Sequence, residues 1–146
     1  ESGKGVGIEL SPTAHGYNLA DFADEIFSFA KEFETNLLIT LKEGESITEF
    51  ANKYPELNFI VAGAVFNGIE ECEHKNIYTD TSSGALDNAI FENRSEIIYE
   101  HLLFASHSVH TGAYRGRIEY AEISNKSKAK ILRGNAERIF SKYLNK

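Results

Sequence analysis

The residues best placed for chemistry sit in Leu102-Leu103-Phe104-Ala105-Ser106-His107-Ser108-Val109-His110, where an apolar run stops at a small residue and two histidines follow. Such a pattern predicts a buried parallel strand ending at a site, because ligands of α/β folds gather at the carboxyl ends of strands. His107 is the first candidate, a group that titrates near neutral pH and can act as acid, base or ligand; the default alternative is a rim histidine bonded to backbone carbonyls. His110, three residues on, reaches the same substrate only if the chain turns. His15 lies between Pro12 and Gly16-Tyr17, a punctuated loop of the kind that carries groups at a mouth. If both histidines follow strands of one sheet, they share a face. Asp80 ends another apolar run and suits a general base or the support of an imidazole; its plainer role is to cap the turn through Thr81-Ser82-Ser83. Thr40, near the end of the run 37–41, and Glu45, beyond it at the presumed mouth, complete the candidate substrate contacts, although the charges around Lys42 read by default as a solvated run before a helix. Glu9, in an otherwise apolar stretch, needs a partner if it is buried.

These positions need a scaffold, and the chain supplies five strand-length runs: 6–10, 37–41, 59–64, 77–81 and 102–106. Most lack polar alternation, as expected of strands covered on both faces. Between them lie helical patterns. Asn18 opens one that puts Leu19, Phe22, Ala23, Ile26, Phe27, Ala30 and Phe33 on one side. Ser46-Ile47-Thr48-Glu49 reads as a capping box ending before Pro55, with Phe50 turned inward. A short helix is expected over 68–73 and a less regular one over 85–99. Ser124 caps a lysine-rich helix that Gly134 is expected to break, and a helical pattern resumes over 135–143. Strand and helix alternate five times, which predicts successive βαβ units with right-handed crossovers in one α/β domain.

Composition narrows the function. The chain has 146 residues, 42% hydrophobic and 25% charged, with a formal charge of -7. An acidic chain of this kind is a poor partner for nucleic acid or anionic membrane, and no apolar run approaches the roughly 20 residues that span a bilayer. Cys72 is the only cysteine, which excludes an internal disulfide and fits a reducing, cytoplasmic setting. There is no methionine anywhere, Glu1 included, and the expectation is that of a piece of a longer protein. No dinucleotide, Walker or nucleophile-elbow motif occurs.

Three segments, in order, carry a resemblance: Pro12-Thr13-Ala14-His15-Gly16-Tyr17, Tyr78-Thr79-Asp80-Thr81-Ser82 and Ile131-Leu132-Arg133-Gly134-Asn135-Ala136. With Tyr54-Pro55-Glu56-Leu57 before Phe59-Ile60-Val61-Ala62-Gly63, they resemble the amidohydrolase-related family of metal-dependent hydrolases built on a (β/α)8 TIM barrel. The resemblance implies that residues 1–146 form the C-terminal five-strand part of such a barrel, with the N-terminal part absent. It implies an amidohydrolase-like hydrolase or decarboxylase acting on a small molecule through His107, Asp80 and His15. It also implies a divalent metal such as zinc, but Thr40 and Gly63 stand where ligating histidines are expected, and His107 where an aspartate is. A threonine and a glycine do not replace imidazoles, which leaves metal binding open. The alternative is a metal-free, non-catalytic barrel relative that binds a small molecule or a protein. A third reading is an independent doubly wound five-stranded domain, recognisable by a crossover in strand order. As partners the partial barrel implies the missing N-terminal half or another chain, and a homo-oligomer, because two open sheet edges seek strands.

Overall fold

The structure is a computed structural model and describes residues 6–42, 44–63, 73–82, 96–106 and 111–144. The strands are β1 (Gly7–Leu10), β2 (Asn36–Ile39), β3 (Phe59–Val61), β4 (Ile77–Asp80) and β5 (Leu102–Leu103). All neighbours pair in parallel, in the order β1-β2-β3-β4-β5. Sequential order without a crossover is barrel topology and excludes the doubly wound reading. The expected helices over 68–73 and 85–99 fall largely outside the described residues, as does Cys72; within the latter range a 3-10 turn covers Ile98–Glu100.

The two faces of the sheet have different covers. Leu37, Ile39, Phe59, Val61, Ile77 and Leu102 meet the main core, built with α2 (Leu19–Glu32), α3 (Thr48–Lys53) and Ile118 of α4 (Thr111–Glu119). A short helix, α1 (Pro12–His15), precedes α2. Phe27 is completely buried and meets the rings of Phe50, Tyr54 and Phe59 edge-on at 5.2, 5.6 and 5.2 Å. Leu19, Ala23, Phe27 and Ala30 form the inner face of α2, as expected, but Phe22 and Phe33 are exposed, together with Phe29. The helix turns its Asp24 to Lys53 and Tyr54 and its Lys31 to Glu56, so the aromatic stripe lies on the other side, away from α3 and towards the free flank of β1. α3 starts later than a capping box would require: Ser46 Oγ accepts the Thr48 amide at 3.2 Å, and Ile47 occupies the cap position.

The other face carries Leu38, Ile60, Tyr78 and Leu103, and on it lies α6 (Asn135–Leu144), through Ala136, Ile139 and Phe140. Arg138 donates to the Glu100 carbonyl and Tyr143 to the Glu34 carbonyl, both just before strands, so α6 crosses this face near the amino ends of the strands. α6 is reached without a break. Ser124 caps α5 (Asn125–Ala129) by accepting the Ser127 amide, as expected, but Gly134 does not end the helix; Lys130–Gly134 form a π turn that runs into α6. In that turn the Asn135 amide reaches back five residues to the Lys130 carbonyl, which leaves the Ile131 carbonyl without its usual helical donor.

The Phe104 amide takes that carbonyl at 3.0 Å. His101 and Leu103 accept from β4, so the groups of Leu102 and Phe104 point to the outer side of β5. The Leu102 carbonyl is engaged as well, by the Asn135 side-chain amide at 2.7 Å. The chain's own helix therefore seals the β5 edge, a correction to the expectation of two open edges. Among the described residues β1 is the terminal strand on the other side, and it lies close to β2: a Cβ on Gly7 would stand 3.1 Å from the Asn36 carbonyl oxygen.

Candidate functional site

Between the sheet and α6 lies a concave groove of about 350 Å³, walled by Ile8, Leu38, Ile60, Leu103 and Phe104 and floored by Ala136 and Phe140. This volume is in the range of small-molecule sites. Glu9 and Asp80 are its charged lining residues, and Asn36 is the remaining polar side chain. The Asn36 amide is already used, donating to the Val6 carbonyl and accepting from Asn58 at 2.8 Å.

Asp80 ends β4 on the groove face and is buried. Its Oδ1 accepts three hydrogen bonds, from the Gly63 amide at 2.9 Å, the Ser82 amide at 2.9 Å and the Ser82 hydroxyl at 2.6 Å. Three donors on one oxygen fix the carboxylate and tie the end of β3 to the end of β4. Thus Asp80 does cap the turn after its strand, and it also presents to the groove. Its neighbours in the motif are structural: Thr79 donates to the Val61 carbonyl, and the Thr81 hydroxyl both donates to the Ala105 carbonyl and accepts the Ala105 amide, holding β5 in place.

The other candidates sit elsewhere. His15 is the exposed last residue of α1, Thr40 is exposed beyond β2, and neither lines the groove. Glu45 closes its own loop, its Oε2 accepting the Lys42 amide at 2.8 Å, and it too is outside the groove. His107 and His110 lie outside the described residues, and so does any convergence of His107 with His15. Lys42, read from sequence as solvated, binds the Tyr17 carbonyl and the Asn18 side chain at 3.1 Å each, clamping the loop after β1 to the loop after β2. Nothing local in the sequence signals this pairing, whose partners are 24 and 25 residues away. Glu9 is exposed on the free flank and forms no described ion pair.

At the amino end of the groove's sheet, His101 is buried, with Nδ1 2.7 Å from the Ile77 carbonyl, so this nitrogen carries the proton. Burial, aided by the Arg138 charge, holds its pKa below the ordinary 6.5 against the opposing pull of that hydrogen bond and Glu100. The unfolded chain therefore binds the proton first as pH drops, and stability is lost as pH falls through about 6.5. Thermal melts should show a lower melting temperature at pH 5.5 than at 7.5, and His101→Gln should flatten that dependence. An unchanged slope would contradict this assignment. Asp24, Glu56 and Glu100, all held low chiefly by hydrogen bonds from Lys53, Lys31 and Lys130, act in a more acidic window.

A parallel sheet with its five strands in sequential order marks this chain as part of a (β/α)8-type barrel. Solved structures place the segment further. The chain is similar to 5-carboxyvanillate decarboxylase from Sphingomonas paucimobilis, at 16% identity and TM-score 0.69, covering 93% of this chain and 58% of that one. It is similar to 2,6-dihydroxybenzoate decarboxylase from Rhizobium, at 12% identity and TM-score 0.61, covering 82% and 55%. A dihydroxybenzoic acid decarboxylase from Polaromonas, solved with manganese and 2-nitroresorcinol, gives 14% identity and TM-score 0.57, covering 84% and 54%. All three are decarboxylases by name, and the likeness in fold agrees with the barrel that the motifs implied; the chain spans little more than half of their length. No protein-family model matches the chain, and no curated protein matches its sequence.

The resemblance implies a metal, and the described strand ends do not fit one. Thr40 and Gly63 stand at two of them, and Gly63 has φ 61°, a left-handed conformation in which a histidine would be strained. Asp80 commits Oδ1 to three donors, and among the described residues no three His, Cys, Asp or Glu side chains gather.

Proposed function

We propose that the chain is a barrel relative whose concave groove binds a small, largely apolar molecule without a metal at the described strand ends. The single observation behind this reading is the groove itself, apolar on its walls and floor and holding a fixed carboxylate at its rim. Here Asp80 positions and contacts the ligand, while the aliphatic walls exclude water from it.

A second reading, hydrolase or decarboxylase chemistry by His107 with Asp80, draws support from Asp80 standing at the carboxyl end of a parallel strand, where barrel enzymes place reacting groups. The two readings part on one assay of the full chain: manganese or zinc titration followed by carbon dioxide release from 2,6-dihydroxybenzoate. The expected result is no tight metal and no release; stoichiometric metal with turnover would overturn the groove-only reading. No described helix is long and apolar enough to cross a membrane, and a cytoplasmic setting is part of the proposal. So is self-association through the β1 flank and the Phe22, Phe29 and Phe33 stripe, which a solution mass above that of one chain would support and a monomer at all concentrations would refute.

A further inference from the structure

Resting on the groove reading, we infer that the ligand is an organic cation, an amine carried on an aromatic or aliphatic body, and not an aromatic carboxylate. The decarboxylases of similar fold carry benzoates in their names, so an anion would be the natural guess. The groove of this chain is built for the opposite charge. Its described lining holds two carboxylates, Glu9 and Asp80, and no lysine, arginine or histidine.

Among the described residues, two cations of the neighbouring elements are engaged elsewhere. Arg138 donates to the Glu100 carbonyl with its guanidinium 5.8 Å from the centroid of the Tyr78 ring, and Lys42 is held by Tyr17 and Asn18. Asn36, the neutral polar side chain of the described lining, has its amide spent within the fold. Asp80 is the decisive group. It is 8% exposed, Oδ1 is saturated by Gly63 and Ser82, and Oδ2 accepts from no described donor while the residue faces the groove. A benzoate seated here would place like charges together between apolar walls, whereas an ammonium gains a charge-assisted hydrogen bond from its own N–H to Oδ2. The ring of Phe140, packed on the groove side of the sheet, adds apolar surface on which an aromatic body can rest.

Calorimetric titration of the full chain with benzylamine, benzyl alcohol and benzoate at pH 7.5 compares one body with three head charges. Benzylamine should bind at least about tenfold more tightly than benzoate, with the alcohol between, and the preference should shrink as salt rises. Asp80→Asn keeps an oxygen for the Gly63 and Ser82 donors and removes the charge; combined with Glu9→Gln it should bring the three ligands to within about twofold of one another. Amide shifts at Ile60 and Leu103 on adding benzylamine locate the site, and Ile60→Trp, which fills the groove, should abolish them. Benzoate binding as tightly as benzylamine would overturn the cation assignment and leave the groove reading standing. If none of the three ligands binds, or if shifts fall elsewhere, the groove reading falls with it.

Discussion

Asn135→Asp is expected to cost this fold more than any other single-atom-scale change, on the order of 2–5 kcal/mol. Asn135 is 2% exposed, and its side-chain amide donates to two carbonyls at 2.7 Å, those of Tyr99 and Leu102. An aspartate has the same shape and no donors, so it would hold a buried negative oxygen against two carbonyl oxygens. The outcome is either an unfolded chain or a carboxyl protonated far above its ordinary pKa. Asn135→Ala removes the repulsion but still orphans both carbonyls. Chemical denaturation at pH 7 should order the chains as native, alanine, aspartate, and acidification should narrow the gap between the last two. An aspartate variant as stable as the native chain would show that these bonds are not what fixes β5.

The second large effect is Phe27→Ala, expected to lose about 3–5 kcal/mol through lost burial and the cavity left behind. The ring is fully buried and touches Phe50, Tyr54 and Phe59 edge-on, so it joins α2 and α3 to β3 at one point. Phe29→Ala on the same helix, starting from a side chain 52% exposed, is the internal control and should move stability by little. Denaturant midpoints of the two variants make the comparison; equal losses would mean that Phe29 is covered in solution.

The strands were legible because each is a short apolar run bounded by polar or turn residues, and a sheet covered on both faces leaves a local signature. Alternation with helices then gave parallel pairing, and sequential order followed once the motifs resembled a barrel. Phe22 and Phe33 show where that reasoning stops. A helical wheel groups apolar residues, but it does not say how wide an arc the sheet covers, and here the arc ends at Ala23 and Ala30. Gly134 misled for a related reason: glycine weakens a helix by roughly 1 kcal/mol, and tertiary bonds from Asn135 to Tyr99 and Leu102 outweigh that.

The site was legible in part. Asp80 is legible as the residue that ends an apolar run, and in the fold it lines the groove. The same rule points to His15, Thr40 and Glu45, yet the chain directs them to solvent or to their own loops, which depends on backbone turns that no residue pattern encodes. The groove floor was missed altogether. Ala136 and Phe140 come from a helix 33 to 37 residues beyond Leu103, and their periodicity looks the same whether they pack outside a barrel or across its open face.

The sealed edge of β5 sets how this sheet can grow. A sheet with two exposed edges is a template at both ends and can add copies without limit. Here one end is stoppered by the π turn and Asn135, so β1 is the only described end that can take a strand. If that strand comes from a second copy, a two-fold pairing uses up both free ends at once, and assembly stops at two chains instead of running on into fibres.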